Sequence, residues 1–178
     1  MTTDALAGGT RDGTTADARH QPGRGAGLVE AIHIAPSEGA PMRGVARVRA
    51  VARVGLEGDR YAIRTGHWSE DPKADRDITL IEAEVVDELA ANDGIHLRPG
   101  ESRRNVLTRG IRLNDLVGRR FRVGDAVCEG TRLCEPCQYL TDLVGKPILQ
   151  PLVHRGGLRA RVVETGEIAV GAFVMPLD

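Results

Sequence analysis

The segment 134–137, Cys-Glu-Pro-Cys, carries the side chains best suited to chemistry in this chain. It stands directly before a short apolar stretch, 139–144, that could form one or two helical turns. Proline is favoured in the first turn of a helix because its missing N–H costs nothing there. Pro136 would therefore place the sulfur of Cys137 near unpaired backbone N–H groups and the positive end of the helix dipole, which favours the thiolate. We expect Cys137 to be the reactive residue, against the alternative of a buried, inert cysteine.

A thiolate at this position has several possible uses. It could attack a disulfide, carry a persulfide sulfur or ligate a soft metal. A thioredoxin-type dithiol would open a long helix, whereas Gly145 and Pro147 interrupt this one. A structural zinc site needs four ligands, usually from a second cysteine pair or a histidine pair, and the sequence has neither at a matching spacing. No zinc is therefore expected, while dithiol exchange remains a weaker alternative.

The arginines are the second feature that could take part in chemistry. Only two of the 24 lysine and arginine residues are lysines. The guanidinium group has five donors in a planar fork that suits phosphate and carboxylate groups. In a predicted strand over 103–110, Arg103 and Arg109 would lie on one face with Asn105 between them. An anionic cofactor whose metal or sulfur end meets Cys137 would use both signals. The alternatives are a solvated strand face and the arginine bias of a GC-rich genome.

Overall composition excludes several classes of function. The formal net charge of −1 gives no reason to expect binding to nucleic acid or to an anionic membrane. No stretch approaches the roughly 20 apolar residues of a membrane span. Motifs of the type G-x-S-x-G, P-loop or H-E-x-x-H are missing, which removes the commonest hydrolase, nucleotide-binding and metalloprotease classes. Three closely spaced cysteines do not resemble a disulfide framework, so a cytoplasmic location is expected.

The chain divides into a tail and one domain. Residues 1–26 are polar and aperiodic and lack the apolar run of a secretory signal, so a disordered N-terminal tail is predicted. Residues 27–178 are enough for a single domain that buries most of its apolar surface.

Hydrophobic periodicity predicts the elements that must position these residues. Apolar residues alternate with polar ones in several short segments, a pattern typical of half-buried strands. Strands are predicted at 28–34, 45–54, 78–81, 103–110, 120–123, 126–131, 158–163, 167–170 and 171–175. A helix is predicted over 82–92, a helical turn over 114–117 and a long, functional loop from Gly55 to Pro72. The pattern indicates a β-rich α+β fold, a barrel or sandwich with a few peripheral helices.

Three blocks of sequence carry a resemblance to a known family. They are Gly-Leu-Glu-Gly-Asp-Arg at 55–60, Arg-Arg-Asn-Val-Leu-Thr-Arg-Gly at 103–110, and Glu-Gly-Thr-Arg-Leu-Cys-Glu-Pro-Cys at 129–137. In this order and spacing, the chain from Gly27 onward resembles the MOSC family, named for the C-terminal domain of molybdenum-cofactor sulfurase. The resemblance implies a MOSC-like β-barrel. It also brings an association with pyridoxal phosphate at the level of the family.

The family hallmark is one cysteine that follows a proline, which here is Cys137. By resemblance this cysteine ligates the molybdenum of a pterin cofactor or carries sulfur. Polar and basic side chains of the first two blocks would hold the pterin and its phosphate, and they correspond here to Asp59, Arg60, Arg104, Asn105 and Thr108. Many relatives have histidine where this chain has Tyr61, whose phenol could still form a hydrogen bond.

The resemblance leads to an expected function. A molybdenum-pterin cofactor bound through the thiolate would support reduction of N-hydroxylated compounds or transfer of sulfur to a metal centre. The partners would be a small-molecule cofactor and substrate, with electrons from a separate donor protein in a reductase. The alternative is a redox-responsive binding module that uses the Cys134/Cys137 pair without metal. The sequence leaves the substrate and the oligomeric state open.

Overall fold

The computed structural model describes residues 25–70 and 75–177. The predicted disordered tail therefore lies outside the described residues for positions 1–24, as do positions 71 and 72 at the end of the predicted functional loop.

Strands dominate the described part of the chain. In chain order the elements are β1 (Gly27–Ile34), β2 (Arg43–Val45), β3 (Arg47–Val51), β4 (Gly55–Leu56), β5 (Ile78–Glu82), α1 (Ala83–Asp93), β6 (Val106–Arg109), a 3₁₀ turn (Leu113–Leu116), β7 (Arg120–Val123), β8 (Ala126–Leu133), α2 (Gln138–Val144), β9 (Leu158–Glu164), β10 (Gly166–Ala169) and β11 (Phe173–Pro176). The predicted β-rich fold with a few peripheral helices is confirmed.

Seven strands close into a barrel in the order β11-β7-β8-β9-β5-β6-β1, with pairing between β1 and β11 completing the ring. The neighbouring strands are antiparallel except β5 and β6, which α1 connects in parallel. Strand β2 extends the sheet from β1, while β10, β3 and β4 form a second, three-stranded sheet. Closure satisfies the backbone donors and acceptors that would otherwise be exposed at sheet edges.

The period-two alternation determines which side chains fill the barrel. Phe121, Ile32, Leu80 and Leu158 are fully buried in its core, and each such side chain contributes about 1.5–3 kcal/mol by leaving water. A separate apolar cluster joins the two helices and the segments that follow them, and contains Val85, Leu89, Ile95, Leu140, Ile148 and Leu152. Cys137 packs against this second cluster, which therefore holds the start of α2 against α1.

Two predicted strands are shorter than expected. The segment 45–54 divides into β2 and β3 and then turns, with Arg53 in the left-handed region at φ 62°. The strand predicted over 103–110 begins only at Val106, because Arg103 also has a left-handed backbone at φ 62°. A left-handed residue breaks the alternation, so the prediction that Arg103 and Arg109 share a strand face is wrong.

No helix in residues 25–70 and 75–177 is long and apolar enough to cross a membrane.

Gly157, just before β9, shows how closely the segments approach each other. Its φ is +107°, and an added Cβ would lie 2.0 Å from the carbonyl oxygen of Leu80 on the paired strand β5. Gly94, which ends α1, also has a positive φ of 65°, but nothing lies within 4 Å of the corresponding position. A side chain at Gly157 would therefore be both strained and crowded, whereas a side chain at Gly94 would be strained alone.

Gly157→Ala should lower the free energy of unfolding by at least about 4 kcal/mol, because a methyl group there overlaps the β5 backbone. Gly94→Ala should cost about 1–2 kcal/mol, the strain of a left-handed alanine alone. Urea denaturation followed by circular dichroism measures both losses. Equal losses would contradict the close approach of β9 to β5.

Candidate functional site

Cys137 lies at the start of α2. It is the N-cap residue with an extended backbone, at φ −143° and ψ 164°, and its carbonyl oxygen accepts the first helical hydrogen bond, from the N–H of Thr141 at 3.1 Å. Pro136 precedes the cap, so the prediction that it occupies the first helical turn is wrong. Pro136 instead disfavours the α region for Glu135, because the proline ring clashes with the residue before it, and so keeps α2 from extending towards the N-terminus. The Cys137 side chain is partly exposed and reaches a cleft.

The cleft has an enclosed volume of about 60 Å³, and of about 580 Å³ when the open solvent at its mouth is included. Cys137 and the more deeply buried Cys134 both line it. Five arginines line it as well, namely Arg60, Arg76, Arg103, Arg104 and Arg159, against two acidic residues, Glu38 and Glu135. A cleft with this lining favours an anionic ligand.

Arg104 connects the barrel to the cysteine segment. Its guanidinium is buried and donates to three backbone carbonyl oxygens: Gly156 from Nε at 2.8 Å, Cys134 from Nη2 at 2.8 Å and Ser102 from Nη1 at 3.2 Å. Charge-assisted bonds of this kind are short and strong. Arg104 therefore fixes the backbone beside Cys137 and also forms part of the cleft wall.

Arg60 reaches the cleft from the loop after β4, and Asp59 supports it from behind. The Asp59 carboxylate is buried and accepts from the N–H of Ala35 at 3.2 Å, from Arg60 Nη1 at 3.2 Å and from the N–H of Tyr61 at 3.2 Å. Arg60 also donates from Nη2 to the carbonyl oxygen of Arg103 at 3.1 Å. Asp59 itself does not line the cleft, so its contacts position the cationic side chain.

Asn105 is also buried behind the cleft. Its Oδ1 accepts from the N–H of Thr79 at 3.2 Å and from the hydroxyl of Thr79 at 2.8 Å. Its Nδ2 donates to the carbonyl oxygen of His33 at 3.1 Å and to Asp59 Oδ1 at 3.0 Å. All the hydrogen-bonding capacity of this amide is therefore used within the protein.

Thr108 lies further away, on β6. It is fully buried, and its hydroxyl donates to the carbonyl oxygen of Ile81 at 3.3 Å. Of the five residues predicted to hold a pterin, the structure thus brings Arg60 and Arg104 to the cleft, and places Asp59, Asn105 and Thr108 behind it.

Arg103 belongs to the cleft, whereas Arg109 does not. Burial and the nearby positive charge of Arg60 lower the pKa of Arg103, so two guanidinium groups are held close together in a partly dry place. Arg109, at the far end of β6, is exposed and paired with Glu30 and with Asp87, the latter at 2.9 Å. The pair of cations at Arg60 and Arg103 is an unfavourable arrangement that an anion would relieve.

Two further arginines of the cleft were not singled out from the sequence. Arg76 and Arg159 approach Asp75, each at 3.9 Å. The Nε of Arg159 is buried and has no hydrogen-bond partner among the residues that the structure describes. The outward position of Arg159 in β9, beside the inward Leu158, is a signal that alternation could have supplied. No local sequence pattern identifies Arg76 as a cleft residue, because only the tertiary fold brings it there.

Aromatic rings form another side of the cleft. The rings of His67 and Tyr139 stack with centroids 3.9 Å apart and planes 5° apart, and the Trp68 ring meets His67 edge-on at 4.6 Å. His67 Nδ1 lies 2.5 Å from a carboxylate oxygen of Glu38. Flat rings beside guanidinium groups suit a planar ligand that carries negative charge.

The other two cysteines differ from Cys137. Cys128 is fully buried in the barrel, and burial raises the pKa of its thiol to about 12, which keeps it protonated and unreactive. Cys134 is also buried, and its backbone N–H donates to the carbonyl oxygen of Gly157 at 2.7 Å. Exposure therefore favours Cys137 among the three thiols.

Comparison with known proteins supports the assignment of the fold. The profile of the MOSC domain family matches residues 32–175. No curated protein matches the sequence at a significant level. The crystal structure of the YuaD protein from Bacillus subtilis superposes with a TM-score of 0.70 at 16% identity, over 84% of this chain and 94% of that one.

The crystal structure of YiiM from Geobacillus stearothermophilus gives a TM-score of 0.64 at 18% identity, over 85% of this chain and 75% of that one. YiiM from Escherichia coli gives 0.61 at 18% identity, over 85% and 70% of the two chains. Identities this low show a shared fold alone. The family match covers most of the chain, so the chain belongs to the MOSC domain family, which is related to molybdenum-cofactor binding and sulfur transfer.

Asn105→Ala should lower the free energy of unfolding by more than about 3 kcal/mol, since each buried group left without a partner costs about 1–3 kcal/mol. Asn114→Ala is the control, because Asn114 makes one peripheral hydrogen bond, to the carbonyl oxygen of His154 at 2.9 Å. It should cost about 1 kcal/mol or less. Chemical denaturation of both variants measures the difference, and similar losses would contradict the role given to the buried amide.

An ion pair holds the segment before Arg103 against the end of α2. The Glu101 carboxylate binds the ammonium of Lys146 and accepts from the backbone N–H of Arg98 at 2.8 Å. Burial would raise the pKa of Glu101, but the hydrogen bonds from Lys146 and Arg98 lower it from 4.5 to about 2. A carboxylate with a lowered folded-state pKa contributes stability above its unfolded-state pKa and loses it as the pH falls.

Glu101→Gln should therefore destabilise the protein above about pH 4.5, and the penalty should shrink as the pH falls towards the value of about 2. Urea denaturation of both proteins across this range provides the measurement. Glu57→Gln is the control, because Glu57 forms only an exposed pair with Arg49 at 3.7 Å and should have little effect. A penalty for Glu101→Gln that is the same at both ends of the range would contradict the ion pair.

Proposed function

We propose that this chain binds a molybdenum-pterin cofactor in the cleft, with the thiolate of Cys137 as a ligand to the metal. One observation supports the proposal above the others: a partly exposed cysteine shares its cleft with five arginines. Soft thiolate sulfur suits such a metal, and a bound metal cation keeps the sulfur deprotonated at neutral pH.

The residues present fit an anionic, planar cofactor. The Nε of Arg159 has no hydrogen-bond partner among the described residues, and Arg60 and Arg103 lie near the single carboxylate of Asp59. A phosphate group would supply acceptor oxygens for such donors, and arginine can bind it with two parallel hydrogen bonds. The rings of Trp68 and Tyr139 offer apolar surface for the flat part of the cofactor. When bound, the cofactor would supply a metal able to take up and release electrons.

The side chains in and behind the cleft would have different roles in binding the cofactor. Arg60, Arg103 and Arg159 would hold anionic groups. Arg104 would fix the position of Cys137 through the carbonyl oxygen of Cys134 and would add positive charge to the wall. Asp59 and Asn105 would act as positioning residues, because their hydrogen bonds hold Arg60 and the backbone that surrounds it.

Two reactions would use this arrangement. In a reductase for N-hydroxylated compounds, the cleft would admit the substrate and a separate partner protein would supply electrons. In a sulfur carrier, Cys137 would carry the sulfur as a persulfide and deliver it to a metal centre. Both versions require a thiol that solvent can reach, and the side chain of Cys137 is partly exposed.

Cys137→Ser should reduce the molybdenum content of protein produced with its cofactor pathway intact by about tenfold or more, because the thiolate ligand is lost. Cys134→Ser is the matched control and should retain most of the metal, since its sulfur is buried. Elemental analysis and pterin fluorescence after release of the cofactor measure both. Full molybdenum content in Cys137→Ser would contradict the proposal.

The same preparation separates the two reactions. A reductase should contain molybdenum and pterin and should lack labile sulfane sulfur. A carrier should contain sulfane sulfur that Cys137→Ser abolishes. Finding that sulfur with neither molybdenum nor pterin would remove the reductase and, with it, the role of Cys137 as a metal ligand. A disulfide between Cys134 and Cys137 that changes the affinity for a partner protein, in metal-free samples, would support the redox-responsive binding module instead.

A further inference from the structure

A second cavity lies between the outside of the barrel, α1 and the segment 95–104. Its volume is about 290 Å³, just below the range of about 300–1,000 Å³ typical of small-molecule sites. The lining is mainly apolar and includes Ala31, Ile81, Val86, Leu97 and Leu107. We call it the His33 cavity, after the one histidine in its wall.

His33 is the feature that indicates a ligand. Its neighbours Ile32 and Ile34 face the barrel core, so the alternation of β1 turns His33 outward, and Gly100 packs over its ring. The residue is only 7% exposed, and its ring makes no hydrogen bond to any residue that the structure describes, while the ring nitrogens remain accessible to solvent. Most polar side-chain atoms this close to full burial have a protein partner. An imidazole facing an apolar cavity without one is therefore available to a bound molecule.

The charges around the cavity are already paired. Glu30 at the rim binds Arg109, and Arg98 binds Glu101 at 2.9 Å. The guanidinium of Arg104, which separates this cavity from the cleft, donates to three backbone carbonyl oxygens. Burial lowers the pKa of His33, so the ring is neutral at pH 7 and offers one donor and one acceptor. These surroundings favour an uncharged ligand.

We propose that the His33 cavity binds an uncharged, mainly apolar small molecule that carries one hydroxyl group. The apolar part would contact the side chains of Val86, Leu97 and Leu107, and the hydroxyl would pair with the His33 ring. A hydroxyl group fits because it can both donate and accept. The hydroxyl of Ser102, which also lines the cavity, provides a second polar group near the ligand. This site is separate from the cleft and does not depend on the cofactor proposal.

The test uses phenol, toluene and benzoate as probes of the full-length protein, with methyl-group NMR as the measurement. Phenol should shift the methyl signals of Val86, Leu97 and Leu107 and leave that of Leu140, which lines the cleft, unchanged. Toluene should bind more weakly because it lacks the hydroxyl, and benzoate more weakly still because its charge has no free partner. His33→Phe should weaken phenol binding by about fivefold to tenfold and leave toluene binding unchanged.

Leu107→Trp should abolish phenol binding by filling the cavity. Leu28→Trp is its control, since Leu28 is exposed on β1 outside the cavity. If Leu107→Trp does not fold, the methyl shifts of the unaltered protein still locate the bound probe. No binding of phenol, equal binding of phenol and toluene, or tighter binding of benzoate would each overturn the proposal. Phenol shifts confined to Leu140 would also overturn it, because they would place the probe in the cleft.

Discussion

A buried guanidinium group must have partners, and this constraint determines the structure around the cleft. Arg104 can be buried only where several acceptors converge, because an unpaired charge in the interior is strongly unfavourable. The carbonyl oxygens of Ser102, Cys134 and Gly156 meet that need. They come from three separate parts of the chain, and the pairing of β8, β9, β5 and β6 as neighbours in the sheet brings them together. The same hydrogen bonds that stabilise Arg104 therefore fix the backbone beside Cys137.

The cleft contains more positive charge than its own acids neutralise. Asp59 is committed to Arg60 and to backbone N–H groups, and Asp75 lies between Arg76, Arg132 and Arg159. Arg103 remains close to Arg60, and its lowered pKa reports the repulsion together with burial. A bound anion would reduce the repulsion between these two guanidinium groups and would stabilise the folded protein. A thiol at the edge of the same cleft adds a ligand for a soft metal.

Sequence patterns were sufficient for the fold but only partly for the site. Alternation identified most barrel strands because one face of each is buried, and the helix predicted over 82–92 is found at Ala83–Asp93, where the left-handed Gly94 ends it. Neither pattern reports backbone strain, so the left-handed Arg103 made the predicted strand too long. The position of Pro136 was missed for a related reason, because a proline before an N-cap and one after it look alike in sequence. Alternation could have marked Arg159 as an outward residue of β9, whereas Arg76, just before β5, reaches the cleft only through the tertiary fold, which local patterns do not contain.

The proposed function depends on a bond between the sulfur of Cys137 and molybdenum. X-ray absorption at the molybdenum edge, on cofactor-loaded protein and on concentrated Cys137→Ser with the molybdenum that it still retains, measures the sulfur ligands of the metal directly. A thiolate sulfur contribution is expected in the unaltered protein and should be missing from the variant. Identical sulfur coordination in the two samples would contradict the proposed function.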